Sequence, residues 1–133
     1  MQPRLLTLSL SAVPLCLALW SCGNNTPPPP PPTAYDQDNT TPINVSLSDT
    51  LATANVDFST SSFSVVTPAT SGTITLDPNS GDFTYFPDAG FSGVDDFFWQ
   101  VSDQYGVSNV AEYTIGVGVA ATIHVERLPV ASR

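Results

Sequence analysis

The sequence predicts an all-β fold, two antiparallel sheets of about seven strands packed face to face as a sandwich, and three observations predict it. Between residues 34 and 119 apolar and polar side chains alternate with a period of two, as along a strand with one face in a core and the other in water. Turn residues (Gly, Pro, Asn, Asp) interrupt that alternation about every 8 to 12 residues. Nothing in the stretch recurs at the spacing of an amphipathic helix.

The elements follow in chain order. Ile43, Val45 and Leu47 alternate with Asn44 and Ser46 and are expected to open the fold. Phe63 to Thr67 is a short apolar run closed by Pro68, which has no N–H to offer a ladder. Ile74 and Leu76 alternate with Thr73 and Thr75. Asp77-Pro78-Asn79-Ser80-Gly81 then reads as a hairpin turn, and Phe83 and Tyr85 resume the pattern up to Pro87. Phe97, Trp99 and Val101 alternate next, Asp103-Gln104-Tyr105-Gly106 turns the chain, and Val110, Glu112, Thr114 and Gly116 alternate against Ala111, Tyr113, Ile115 and Val117. Phe83, Tyr85, Phe91, Phe97 and Trp99 are the rings expected between the sheets, each worth about 1.5 to 3 kcal/mol on burial. Gly81, Gly93 and Gly106 stand where turns need positive φ or close approach. Residues 120–133 are read as a C-terminal tail or an extra edge strand, since Thr122 to Arg127 alternates once more; its His124, the one histidine, is read as a surface residue.

Composition limits what such a domain does. The chain has 133 residues, room for one domain, with 3 Lys+Arg against 12 Asp+Glu and a net charge of −9. The cations are Arg4, Arg127 and Arg133, and every acid except Glu126 lies between Asp36 and Glu112. Nucleic-acid affinity comes mainly from Lys and Arg on phosphates, so no DNA or RNA partner is expected. With 41% hydrophobic and 11% charged residues the chain is too apolar to be disordered throughout.

Residues 1–21 read as an export signal. Arg4 gives a positive start, and the apolar run from Leu5 to Trp20, broken by Pro14, is shorter than the ~20 residues that cross a bilayer. The run ends in Leu19-Trp20-Ser21-Cys22-Gly23, which resembles a bacterial lipoprotein signal: Leu three residues before the cysteine, a small residue on either side of it, and Trp20 as the departure. The resemblance implies lipidation of Cys22 as the first mature residue. Several acyl chains at about 0.8 kcal/mol per buried CH₂ make a durable membrane anchor. Gly23 in place of an inner-membrane-retaining Asp points to the outer membrane of the bacterial cell envelope, facing the periplasm or the surface. Cys16 leaves with the signal, so no internal disulfide is expected in the mature chain. Residues 22–33, with Pro27 to Pro32, are read as a linker in polyproline II, at ~3.1 Å per residue a semi-rigid stalk.

From Gly72 the resemblance becomes specific. Gly72-Thr73-Ile74-Thr75-Leu76, Gly81-Asp82-Phe83-Thr84-Tyr85-Phe86-Pro87, Phe91-Ser92-Gly93-Val94-Asp95-Asp96-Phe97-Phe98-Trp99-Gln100-Val101-Ser102-Asp103 and the stretch from Gly106 to Val117 are similar to the cadherin-like and immunoglobulin-like modules that recur in large bacterial surface proteins. That resemblance implies an immunoglobulin/cadherin-like sandwich over residues 34–119 and a role in binding or adhesion. Upstream, Asp38 and Thr41-Pro42-Ile43-Asn44-Val45 resemble the family's opening strand less sharply, and Ser48-Asp49-Thr50-Leu51-Ala52 replaces its acidic loop. Phe98, where the family usually has Thr, is expected to face outward as a surface contact.

Two chemical readings of the acids stand side by side. Asp82, Asp88, Asp95, Asp96 and Asp103 flank neighbouring strands and are the candidate calcium ligands, since calcium takes six to eight such oxygens. Asp95 and Asp103 equally suit bonds to nearby backbone N–H groups, and the whole set suits a solvated acidic surface. Asp95 and Asp96 are adjacent on a strand and point to opposite faces, so they do not form a glycosidase pair. With no nucleophile beside a histidine and acid, the chain reads as no enzyme. The expected function is a lipid-anchored module that binds a protein or polysaccharide at the bacterial surface; the alternatives are a structural envelope spacer and a calcium-dependent carbohydrate-binding module.

Overall fold

The computed structural model of the chain describes residues 26–119. Ten strands form there: β1 (Thr33–Ala34), β2 (Gln37–Thr41), β3 (Leu47–Thr50), β4 (Thr53–Ala54), β5 (Ser62–Thr67), β6 (Gly72–Leu76), β7 (Asp82–Pro87), β8 (Gly93–Asp103), β9 (Gly106–Val107) and β10 (Ala111–Val117). One sheet has the order β2-β10-β8-β5, with β9 folded onto β8 as a hairpin; the second has the order β3-β7-β6, and β1 pairs with β4. All pairs are antiparallel except β2 with β10. Two sheets face each other, as the alternation requires.

The core lies where the inward positions of both sheets meet. Along β8 the buried residues are Asp95, Phe97, Trp99 and Val101, every second one, and β10 contributes Tyr113, Ile115 and Val117. The ring of Phe83 on β7 meets Phe97 edge-on at 5.2 Å and Tyr113 at 4.8 Å, Phe97 stacks on Tyr113 at 5.4 Å, and Phe63 stacks on Trp99 at 6.2 Å. Such pairs add about 0.5 to 1.5 kcal/mol beyond the area they bury. Four of the five rings expected between the sheets are buried there; Phe91 packs against the cluster half-buried. At Gly81 the chain takes φ +83°, and a Cβ would stand 2.8 Å from the Phe63 ring, so both conformation and space demand glycine.

Three findings differ from the sequence reading. Ile43 and Asn44 form a turn rather than a strand: Asn44 takes φ 64°, the Val45 amide donates to the Pro42 carbonyl at 3.2 Å, and the strand starts only at Leu47, covering Ser48 to Thr50. Polar β2, Gln-Asp-Asn-Thr-Thr, shows no apolar alternation and is held as a strand by β10 beside it. Pro32 is buried, Pro31 lies against Gly106 and Thr33 is already in β1, so the last prolines of the run pack on the sandwich. The signal segment, Cys22 and the tail beyond Val119 lie outside the described residues.

Candidate functional site

The strongest polar chemistry is inside the sandwich. Tyr85 of β7 donates its hydroxyl at 2.9 Å to Asp95 of β8, and Tyr113 of β10 donates to Asp49 of β3. Each sheet therefore gives one phenol to a carboxylate of the other, two reciprocal clamps across the core. Asp95 is only 3% exposed and has five donors: the Thr70 amide at 3.0 Å and hydroxyl at 3.1 Å, the Ser71 amide at 2.9 Å, the Asp96 amide at 3.1 Å and Tyr85. Burial alone would raise its carboxyl; the amides of Thr70 and Ser71 and the hydroxyls of Tyr85 and Thr70 outweigh that and hold it below its ordinary range. Burial likewise opposes, and Tyr113, the Thr50 amide and Asn39 outweigh, so that Asp49 is also lowered. Burial and the facing carboxylates push the hydroxyls of Tyr85 and Tyr113 well above the usual tyrosine value. These acids are ionised structural acceptors. The Trp99 indole N–H lies among the same rings without a hydrogen-bond partner among the described residues.

Outside, β3 and β7 border a shallow groove of about 670 Å³ lined by Ser48, Asp49, Thr50, Thr75, Asp77 and Asp82 among others. Its hydroxyls and carboxylates already bond one another. Thr50 Oγ1 donates to Asp82 Oδ1 at 2.6 Å, Ser80 Oγ donates to Asp82 Oδ2 at 2.9 Å, and the hydroxyls of Ser48 and Thr84 share a bond of 2.9 Å. Bonds from Thr50 and Ser80 lower the Asp82 carboxyl. The surface offers donors and acceptors to a hydroxyl-bearing or amide-bearing ligand, and holds no imidazole or thiol.

The five aspartates singled out as calcium ligands are dispersed. Asp95 is inside the core. Asp82 serves the groove. Asp103 ties two loops, accepting from the Asp57 amide at 2.9 Å and the Tyr105 amide at 2.8 Å. Asp96 is on the outer face of β8, paired in register with Thr114, and Asp88 follows β7, its amide bonded to the Ser71 carbonyl at 2.9 Å. Among the described residues no three of His, Cys, Asp and Glu gather as a metal-binding group, so this set does not fit the ion. Phe98 is half-buried on the outer face of β8, in register with Glu112 on β10 and Thr67 on β5. Sequence reasoning missed Asp49 and the two tyrosine clamps. The available signal was Tyr85 and Tyr113 at inward positions, since a buried phenol needs a partner.

Comparison with known proteins agrees with this architecture. A structure from Bacteroides fragilis, of a protein provisionally assigned as an alpha-galactosidase, matches with a TM-score of 0.55 at 13% identity, over 68% of this chain and 18% of that one. At that identity the likeness shows the fold alone, and the chain spans under a fifth of the protein it matches. None of the curated proteins matches. The family model described as bacterial Ig domain matches residues 25–116, and these residues contain every strand from β1 to β9 and all but the last residue of β10. Such domains are typically extracellular or surface-exposed modules and are generally non-catalytic. The chain belongs to the bacterial Ig domain family.

Proposed function

We propose that this protein is a non-catalytic binding or adhesion module, tethered to the bacterial cell envelope by lipid on Cys22 and displayed at the cell surface. The observation that carries the reading is the division of labour among the polar groups. The buried carboxylate of Asp95 is committed to the fold, and half-buried Asp49 joins its tyrosine clamp to an open groove whose hydroxyls and carboxylates suit contact. Leu19-Trp20-Ser21-Cys22-Gly23 and the proline run that follows support the tether. A protein or a polysaccharide is the ligand class such a groove suits.

Two measurements test it together. Mass spectrometry of the mature protein should find an acylated Cys22 at its N-terminus, and protease added to intact cells should remove the sandwich. An N-terminus lacking acyl groups refutes the tether; a sandwich untouched on intact cells and digested only after the envelope is opened refutes surface display.

A further inference from the structure

The acids of this domain are spread along the chain with one long gap: from Phe58 to Leu76 no residue carries a charge. That run contains β5 and β6, the strands that end the two sheets on the same side of the sandwich. Among the described residues β6 pairs only with β7, in an unbroken register from Gly72↔Pro87 to Leu76↔Phe83, so its outer row of backbone N–H and C=O groups faces away from the sheet. β5 carries a bulge at Val65–Thr67, a device that blunts an edge; β6 has no bulge, no proline and no charge. The core is also open here. Val65, Ala69, Ile74 and Leu76 pack against it while remaining only partly buried.

From this juxtaposition we propose that β6 is a homotypic docking edge, on which the β6 strand of a second copy pairs antiparallel to join two three-stranded sheets into one. Charge selects the occupant. Molecules this acidic repel across most of their surfaces, and β6, an edge strand with no charge of its own, is where they approach with the smallest penalty, leaving the nearby Asp77 and Asp82 for salt to screen. Antiparallel pairing of a strand with itself is a closed two-fold contact, and the half-exposed flanks of Ile74 and Leu76 from each copy would cover one another. The pairing also sets polarity. The chain enters the sandwich beside Gly106, where Pro31 lies, and β6 runs from Gly72 at the opposite end toward that pole. Antiparallel copies therefore direct their proline runs away from each other, as copies on facing membranes would. That last step rests on the anchoring proposed above; the edge pairing does not.

Sedimentation equilibrium of the mature chain, made soluble by Cys22→Ser, tests the edge. The expected result is a monomer–dimer equilibrium with Kd below about 1 mM, tightening as NaCl rises from about 0.05 to 0.5 M because salt screens like charges. Thr73→Glu and Thr75→Glu, at exposed positions of β6, should each weaken it at least tenfold with the melting temperature nearly unchanged. Val107→Glu, 57% exposed on the hairpin away from β6, should leave it intact. A monomer throughout, a dimer indifferent to both β6 variants, or association that salt weakens would overturn the proposal. Anchoring is read separately from the mass of the N-terminus, so either conclusion can fail alone.

Discussion

Asp95→Asn is the most demanding test of how this sandwich is held together. The substitution preserves shape and one carbonyl acceptor, which can keep the contacts that Thr70 and Asp96 make to Oδ1. It places an NH₂ where Oδ2 accepts from the Ser71 amide and the Tyr85 hydroxyl, both at 2.9 Å. The hydroxyl can turn to accept instead; the amide cannot. Hydrogen bonds to a charged group contribute about 1.5 to 3 kcal/mol each, and a buried donor left facing another donor costs about 1 to 3 kcal/mol. Because Asp95 is nearly inaccessible, solvent screening offers little relief, and the expected loss is about 3 to 4 kcal/mol. At about 4 to 8 °C per kcal/mol for a domain of this size, the melting temperature should fall by roughly 15 to 25 °C. Urea unfolding followed by fluorescence of Trp99, the one tryptophan in the sandwich, measures it. Tyr85→Phe should cost about 1.5 to 3 kcal/mol, and a double-mutant cycle should return a coupling above about 1 kcal/mol. A loss below about 1 kcal/mol for Asp95→Asn, or additivity in the cycle, would refute the idea that the ionised Asp95 and its neutral phenol donor fasten the sheets.

Further outcomes follow from the same geometry. Asp49 and Asp95 titrate lower in the folded protein than in the unfolded chain, so the stability they confer is complete above the unfolded carboxyl value near pH 4 and is lost as pH falls through their folded values; acid titrations of Asp49→Asn and Asp95→Asn should be flatter than that of the parent below about pH 4. Tyr85 and Tyr113 titrate higher when folded, so their contribution is present below about pH 10 and lost as pH rises beyond it; their ultraviolet ionisation signal should appear together with alkaline unfolding. Gly81→Ala should cost about 1 to 3 kcal/mol, read by thermal melting, because it combines φ +83° with a Cβ at 2.8 Å from Phe63. Millimolar calcium should leave the melting temperature unchanged, since Asp82, Asp88, Asp95, Asp96 and Asp103 do not converge and a ligand of the folded state must raise it.

Alternation in the sequence was sufficient for the strands that have one buried face. Thr73 to Leu76, Phe83 to Tyr85, Phe97 to Val101 and Ala111 to Val117 all form strands with their apolar positions inward, because a period of two is a local property of extended backbone, and the apolar run Phe63 to Thr67 is a strand as well. Pattern reading failed where the partner, and not the segment, decides. β2 is polar along its length and becomes a strand because β10 supplies its ladder; Ile43 and Val45 alternate and still turn, because Asn44 accepts positive φ and its side chain caps the Gly90 amide at 2.7 Å. The acids show the same division. The chain alone determined that this domain is an acidic β-sandwich with its rings inside and no disulfide available to the described residues, since composition and period are written along one dimension. Only the tertiary structure decided which aspartates are fastenings, by bringing Asp49 to a tyrosine 64 residues away and turning Asp95 toward Tyr85. A carboxylate's role depends on the donors that fold around it, and these come from the opposite sheet, from a connecting loop and from its own strand at once.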